Sequence, residues 1–439
     1  MPTASLHSDS SPTALESPAC AAGLTLRVRL HFPCSLALFF GSMFSQIACD
    51  RNQIDVCLDE DATIAVSPSG RAIAVIDPQA YESILKAPSS ARPNLNCAAD
   101  GYVSRFEARP EALIFVLNIE DRFITRARLM EERGFRLFRD LFGDLTDDDI
   151  RAYGEAEQDV QKAMEELPFP PVAAFNGTYQ SLEAGVGDGA SVSCSNACSD
   201  FLRGYIFLPT RDNLVAGRFL HEFAHFWAAH LTGPTVLANQ IESYGHHWGF
   251  TSVGGVLGGW RPDSLEERPN GRFAGNVAPR GRATNQIRYA PLELYLMGLT
   301  PPSEVDSIKV AVGVSDIVDE GEGILSFHVE RLDTVTIQEI VETNGSRVPS
   351  FEDSPKEFHV GLVIIASHSL SESDWGYYES AMNFLEAGDG VDLLEVFSES
   401  AYPAQYEVWS FLSSGGNEPY LNFARMTGGR GSLRFVPIH

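Results

Sequence analysis

The chain has 439 residues, 44% of them hydrophobic and 21% charged, a balance that places it among ordinary globular proteins and excludes disorder over its whole length. Its 32 basic against 59 acidic residues give a formal charge of −27, which repels nucleic acid and anionic membranes and favours solubility outside the cell. The length suffices for two or three domains with cores of their own.

Residues 1–48 read as a signal peptide. Arg27 and Arg29 precede an apolar run at 32–44 that is too short to span a membrane with margin and suits the core of an export signal. The expectation is a secreted or cell-envelope-anchored protein. Ser45-Gln-Ile-Ala48 then leads to Cys49, and this resembles a bacterial lipoprotein signal, in which small residues precede a cysteine that receives lipid. Gln46 stands where such signals carry leucine, so cleavage and release without an anchor is the alternative. Of seven cysteines, Cys20 and Cys34 would leave with the signal, and Cys57, Cys97, Cys194 and Cys198 form an even set expected to pair as disulfides in an exported chain. A thiolate of Cys97 capping a metal from a pro-segment is the competing reading of that residue.

Residues 49–168 are expected to form an N-terminal accessory or pro-region. Alternating and continuous apolar runs predict strands at 62–66, 72–76 and 112–117, the first two joined by a Ser67-Pro-Ser-Gly70 turn. Helical periodicity follows at 122–142 and again at 147–167, where Pro168-Phe-Pro-Pro171 stops it. The expected catalytic domain, 169–345, contains a strand at 204–209, read either as an edge strand that pairs with an extended substrate or as an ordinary core strand.

The stretch 217–230 follows, predicted as one buried helix because apolar residues surround it on nearly all sides. It contains His221-Glu222-Phe223-Ala224-His225. Four residues apart on a helix, two imidazoles lie about 40° from each other round the axis and about 6 Å apart along it, so His221 and His225 can reach one ion. Glu222 falls about 100° to the side, placed to accept a proton from a metal-activated water without being a ligand. Zn2+ is the expected cofactor, because two histidines on one turn plus a third protein ligand leave the open fourth position of a catalytic zinc site.

The third ligand is the open point. The compact arrangement with a glycine and a third histidine soon after the second is absent, since those positions are Ala228 and Leu231, and His230 lies about 140° round the helix from the pair. Glu242, His246, His247 and Glu293 remain. The residues His221-Glu-x-x-His225, His247-Trp248 and Met297-Gly298 together resemble the leishmanolysin-like zinc metallopeptidases, zincins of the interrupted metzincin kind. In that family an insertion precedes a third histidine that stands before a tryptophan, and a methionine turn lies beneath the zinc. The resemblance implies His247 as third ligand and Met297 as that methionine, over about a fifth of the chain. Two features depart from the family: the glycine after the second histidine is missing, and the methionine lies far beyond the third one. The rival is Glu293, a carboxylate in an apolar Pro-Leu-Glu-Leu-Tyr-Leu segment, serving as ligand or as partner to a ligand's ring N–H.

Beyond the doubled proline at 301–302, acidic loops alternate with strands, and a strand at 360–366 and a helix at 375–386 mark an expected C-terminal subdomain, 346–439. The fold class expected is α+β: a zincin-like domain with its active-site helix beneath a mixed sheet, flanked by N- and C-terminal α+β regions. The function that the resemblance implies is an exported zinc metallopeptidase hydrolysing peptide or protein substrates, with Glu222 as general base. The competing class is an exported envelope or binding protein whose zinc is structural or vestigial.

Overall fold

The computed structural model describes residues 63–86, 95, 99, 101–102, 105–136, 146–167, 175–178, 202–228, 231, 247–276, 285–321, 323–413 and 419–437. The expected signal peptide, all seven cysteines, His230, Glu242 and His246 lie outside these residues. The fold is mixed α+β. In chain order its strands are β1 (Thr63–Val66), β2 (Ala72–Ile76), β3 (Ala112–Leu117), β4 (Phe175–Thr178), β5 (Gly204–Leu208), β6 (Glu266–Arg268), β7 (Arg272–Asn276), β8 (Ile308–Val312), β9 (Ser315–Gly321), β10 (Ile324–His328), β11 (Arg331–Val335), β12 (Glu357–Ala366) and β13 (Ser432–Phe435).

The main sheet runs β1-β2-β12-β3-β5-β4, with β13 also paired to β12. Its centre is parallel: β12 lies between β2 and β3, and β3 in turn pairs with β5. Strands β1 and β4 close the two edges antiparallel. The central strands are continuous apolar runs, Ala112-Leu-Ile-Phe-Val-Leu117 and Val360-Gly-Leu-Val-Ile-Ile-Ala366, as expected of parallel strands covered on both faces. Their alternation divides the core in two. Ile114, Val116, Leu362 and Ile364 face one apolar cluster, and Leu113, Phe115, Val363 and Ile365 face another built on the helix Pro78–Lys86 with Leu95 and Tyr102.

This topology bears on two expectations. The divisions at 168/169 and 345/346 do not separate sheets, because β1, β2 and β3 from the first region, β5 from the second and β12 from the third hydrogen-bond to one another. A period-two pattern predicts that a strand exists but not which strand it pairs with. Of the two readings of the strand at 204–209, the structure agrees with the core strand: β5 is an inner strand with every residue buried, and β4 occupies the edge outside it.

Two smaller units complete the fold around the site. An antiparallel sheet in the order β6-β7-β10-β9 packs Phe327 against Phe250, Trp260 and Ala311, and β8 pairs antiparallel with β11. Among the described residues no helix is long and apolar enough to cross a membrane.

Candidate metal centre

Strand β5 leads through a 3-10 turn, Arg211–Leu214, into the site helix Phe219–Ala224. The turn and helix approach closely because position 217 is glycine: a Cβ there would lie 2.4 Å from the Cα of Asn213. The helix is shorter than the predicted 217–230. After Ala224 the chain tightens, Phe226 N–H bonding to the Phe223 carbonyl and Trp227 N–H to that of Ala224, so His225 is the capping residue rather than a mid-helix one. Its backbone stays right-handed helical, with φ −62° and ψ −17°, and this keeps the four-residue relation to His221.

Apolar packing fixes the helix on one face of the main sheet. Phe219, Leu220, Phe223 and Ala224 are wholly buried, and the Phe223 ring meets Phe226, Trp227, Phe358 and Phe423 with centroids 4.9–6.0 Å away. Two buried polar groups hold the approach to it: the Tyr289 hydroxyl donates to the Leu220 carbonyl at 2.8 Å, and the Asn285 amide donates to the Val215 carbonyl at 2.9 Å.

His221, His225 and His247 converge. Their ring centroids stand 5.0, 5.1 and 5.0 Å apart, and His221 Nε2 lies 3.1 Å from His247 Nε2 and 3.3 Å from His225 Nε2. Among the described residues these three form a group whose ligand atoms lie within 4.8 Å of one another. Nitrogens bound at about 2.0–2.1 Å to a tetrahedral ion are about 3.3 Å apart, so the observed spacings match the edges of such a site. His221 Nδ1 lies 2.9 Å from the Val256 carbonyl oxygen, which makes Nδ1 the protonated nitrogen and leaves the Nε2 lone pair for a metal. Burial above all, with His247 beside it, lowers the His221 pKa to about 3; the Val256 carbonyl pulls upward and Arg218 downward. The imidazole is therefore neutral at physiological pH, the form that binds metal.

Glu222 is buried in the same helix, next to His221, and is not one of the three converging groups. His247 is only half-buried, which gives solvent a side from which to reach the point of convergence.

Glu293 does not join the histidines. It lies wholly buried in the helix Pro291–Met297 and accepts four N–H donors: Trp248 Nε1 at 2.9 Å and Leu257 N at 2.9 Å on Oε1, and Val256 N at 3.2 Å and Ala290 N at 2.8 Å on Oε2. Four donors fill the lone-pair sites of one carboxylate, so in this structure Glu293 is engaged by N–H groups rather than turned to the three histidines. Burial raises its pKa, and the same four hydrogen bonds oppose that rise. Met297 ends this helix, fully buried in the core that also holds Leu220 and Phe223.

The reading of residues from the sequence missed the Val256 carbonyl, the Trp248 indole and the clustering of donors on Glu293. The one signal was the carboxylate inside an apolar segment, which demanded partners without naming them.

Compared with protein-family models, curated proteins and solved structures, the chain gives no match.

Proposed function

We propose that the chain is an exported zinc-dependent endopeptidase, with His221, His225 and His247 as metal ligands and Glu222 as general base. The observation that carries this is the convergence of His247 on the two histidines of a His-Glu-x-x-His helix, with His221 Nε2 at tetrahedral spacing from the Nε2 of both others. Zinc bound there would supply Lewis acidity toward a scissile carbonyl and acidify a water in its open position. Glu222, next to His221 on the same helix, would be the group that takes up a proton and returns it to the leaving amine. The Val256 carbonyl fixes the tautomer and tilt of His221. Phe219, Phe223 and Trp227 are buried with the helix that carries His221 and His225, and both histidines are themselves buried. Peptide is proposed as substrate on the resemblance to leishmanolysin-like zincins, carried by His247-Trp248 and Met297 beside the His-Glu-x-x-His motif. Export rests on Arg27, Arg29 and the apolar run after them, and a lipid anchor on Cys49.

The test combines metal analysis with digestion of a mixed protein substrate. The wild-type protein should hold about one zinc per chain. Glu222→Gln should keep the metal and lose roughly two to four orders of magnitude of hydrolysis, and His247→Ala should lose both. Wild-type protein that takes up no zinc removes the basis of the proposal. Zinc-loaded protein that cleaves nothing, with Glu222→Gln behaving identically, favours a structural metal.

A further inference from the structure

We infer that Glu293 is a positioning residue that sets the geometry of the metal centre from outside it, by clamping the loop 247–258 against the helix Pro291–Met297. This rests on the proposed ligand set. Two of the three ligands depend on that loop: His247 is carried by it, and His221 is oriented by its Val256 carbonyl. One carboxylate reaches both ends of the loop. Its Oε1 takes the indole N–H of Trp248, the residue after His247, together with the Leu257 amide, and its Oε2 takes the amide of Val256 itself. The fourth donor, Ala290 N, belongs to the start of the carboxylate's own helix, so the clamp is tied to a rigid element.

The loop is shaped to receive this group. Gly255 packs directly on the carboxylate, and a Cβ at that position would lie 2.1 Å from Glu293 Oε2. The loop closes on itself through Trp248 N to the Leu257 carbonyl at 3.0 Å, and through paired bonds between Gly255 and Gly258 at 3.1 and 3.0 Å. Its far side is held by β8, where Ser252 N–H donates to the Lys309 carbonyl and Lys309 N–H to the Ser252 hydroxyl. Only an ionised carboxylate matches four converging donors. A glutamine of the same length has one acceptor oxygen, and its NH2 group would face N–H groups that need an acceptor.

The experiment compares wild type, Glu293→Gln, Trp248→Phe and the control Glu222→Gln by hydrogen exchange of the metal-free proteins and by titration with zinc. Glu293→Gln should exchange faster within 247–258 while β3 and β12 keep their protection, and its zinc affinity should fall by about 10- to 100-fold. Its cobalt-loaded form should show a changed visible spectrum, a readout of ligand geometry that general destabilisation does not supply. Trp248→Phe removes one donor of four and should show the same changes more weakly. It decides the question if Glu293→Gln does not fold. Unchanged exchange over 247–258 together with wild-type zinc affinity in both variants would overturn the inference. If wild type takes up no zinc, the proposed function falls while the exchange comparison still decides the clamp.

Discussion

Gly217 has no room for a side chain, since a Cβ would meet a backbone atom, Asn213 Cα at 2.4 Å, rather than a flexible side-chain tip. Gly217→Ala must therefore part the 3-10 turn from the site helix, and the expected cost is about 1–3 kcal/mol of stability, read as a lowered urea midpoint. An unchanged midpoint would mean that the turn moves aside freely. Residues of this kind mark what a sequence conveys at the residue scale. His221, Glu222 and His225 are legible because their relation is local, set by helical spacing alone. His247 is reached only through a resemblance, because 26 positions separate it from His221 and no periodicity spans that gap. Glu293 is legible as a group in need of partners, but its four donors come from stretches up to 45 residues away, so its role depends on the completed fold.

At the scale of elements, strands and several helix starts follow their sequence signals closely, whereas the helix expected at 122–142 ends at Glu131. The helix Asp147–Glu166 starts at a Thr146/Asp149 capping box, and Glu372–Glu386 at a Ser371/Asp374 one. The site helix departs from its signal, because all-round apolarity reports burial without fixing where helical bonding ends. Its entry turn is locked instead by a buried polar group. Asp212 accepts the Asp121 N–H at 2.7 Å and the Tyr377 hydroxyl at 2.9 Å, while neighbouring Arg211 pairs with Glu120 at 3.0 Å and Asp374 at 3.1 Å. Burial pushes the Asp212 pKa up to about 7; Arg211 and the Asp121 amide work against the rise, and Glu120 and Asp121 add to it. Between pH 4 and 7 the native chain then holds a proton that the unfolded chain has released, so this group's contribution falls as pH rises through that window. Asp212→Asn should flatten the decline in urea stability between pH 5 and pH 8, gaining most at the upper end. Parallel pH profiles for the two proteins would show that Asp212 is ionised throughout.

On the scale of the whole molecule, the decisive strand is β12, which comes late in the chain and yet lies at the middle of the sheet, with β2 and β13 along one side and β3 along the other. The sequence shows β12 as a strand and hides its neighbours, since parallel partners are joined by long crossovers with no pairing signal of their own. Residues 49–168 and 346–439 thus look separable by composition although they share hydrogen bonds across a wholly buried core. A chain ending at residue 345 would lose β12 and β13, and β2 and β3 would lose the strand between them. The exposed edges would be those of Ala72–Ile76 and Ala112–Leu117, apolar strands of the kind that drive association. The expected outcome is that a fragment of residues 49–345 is aggregated or unfolded by size-exclusion chromatography and near-ultraviolet circular dichroism, and fails to bind zinc despite carrying all three histidines. The intact protein should instead lose near-ultraviolet signal and zinc in one cooperative transition, because the site helix packs on the sheet that β12 completes. A soluble, folded 49–345 fragment that binds zinc as the full chain does would show that the metal centre is independent of the central strand, and the sheet would then have to re-pair β2 with β3 to account for it.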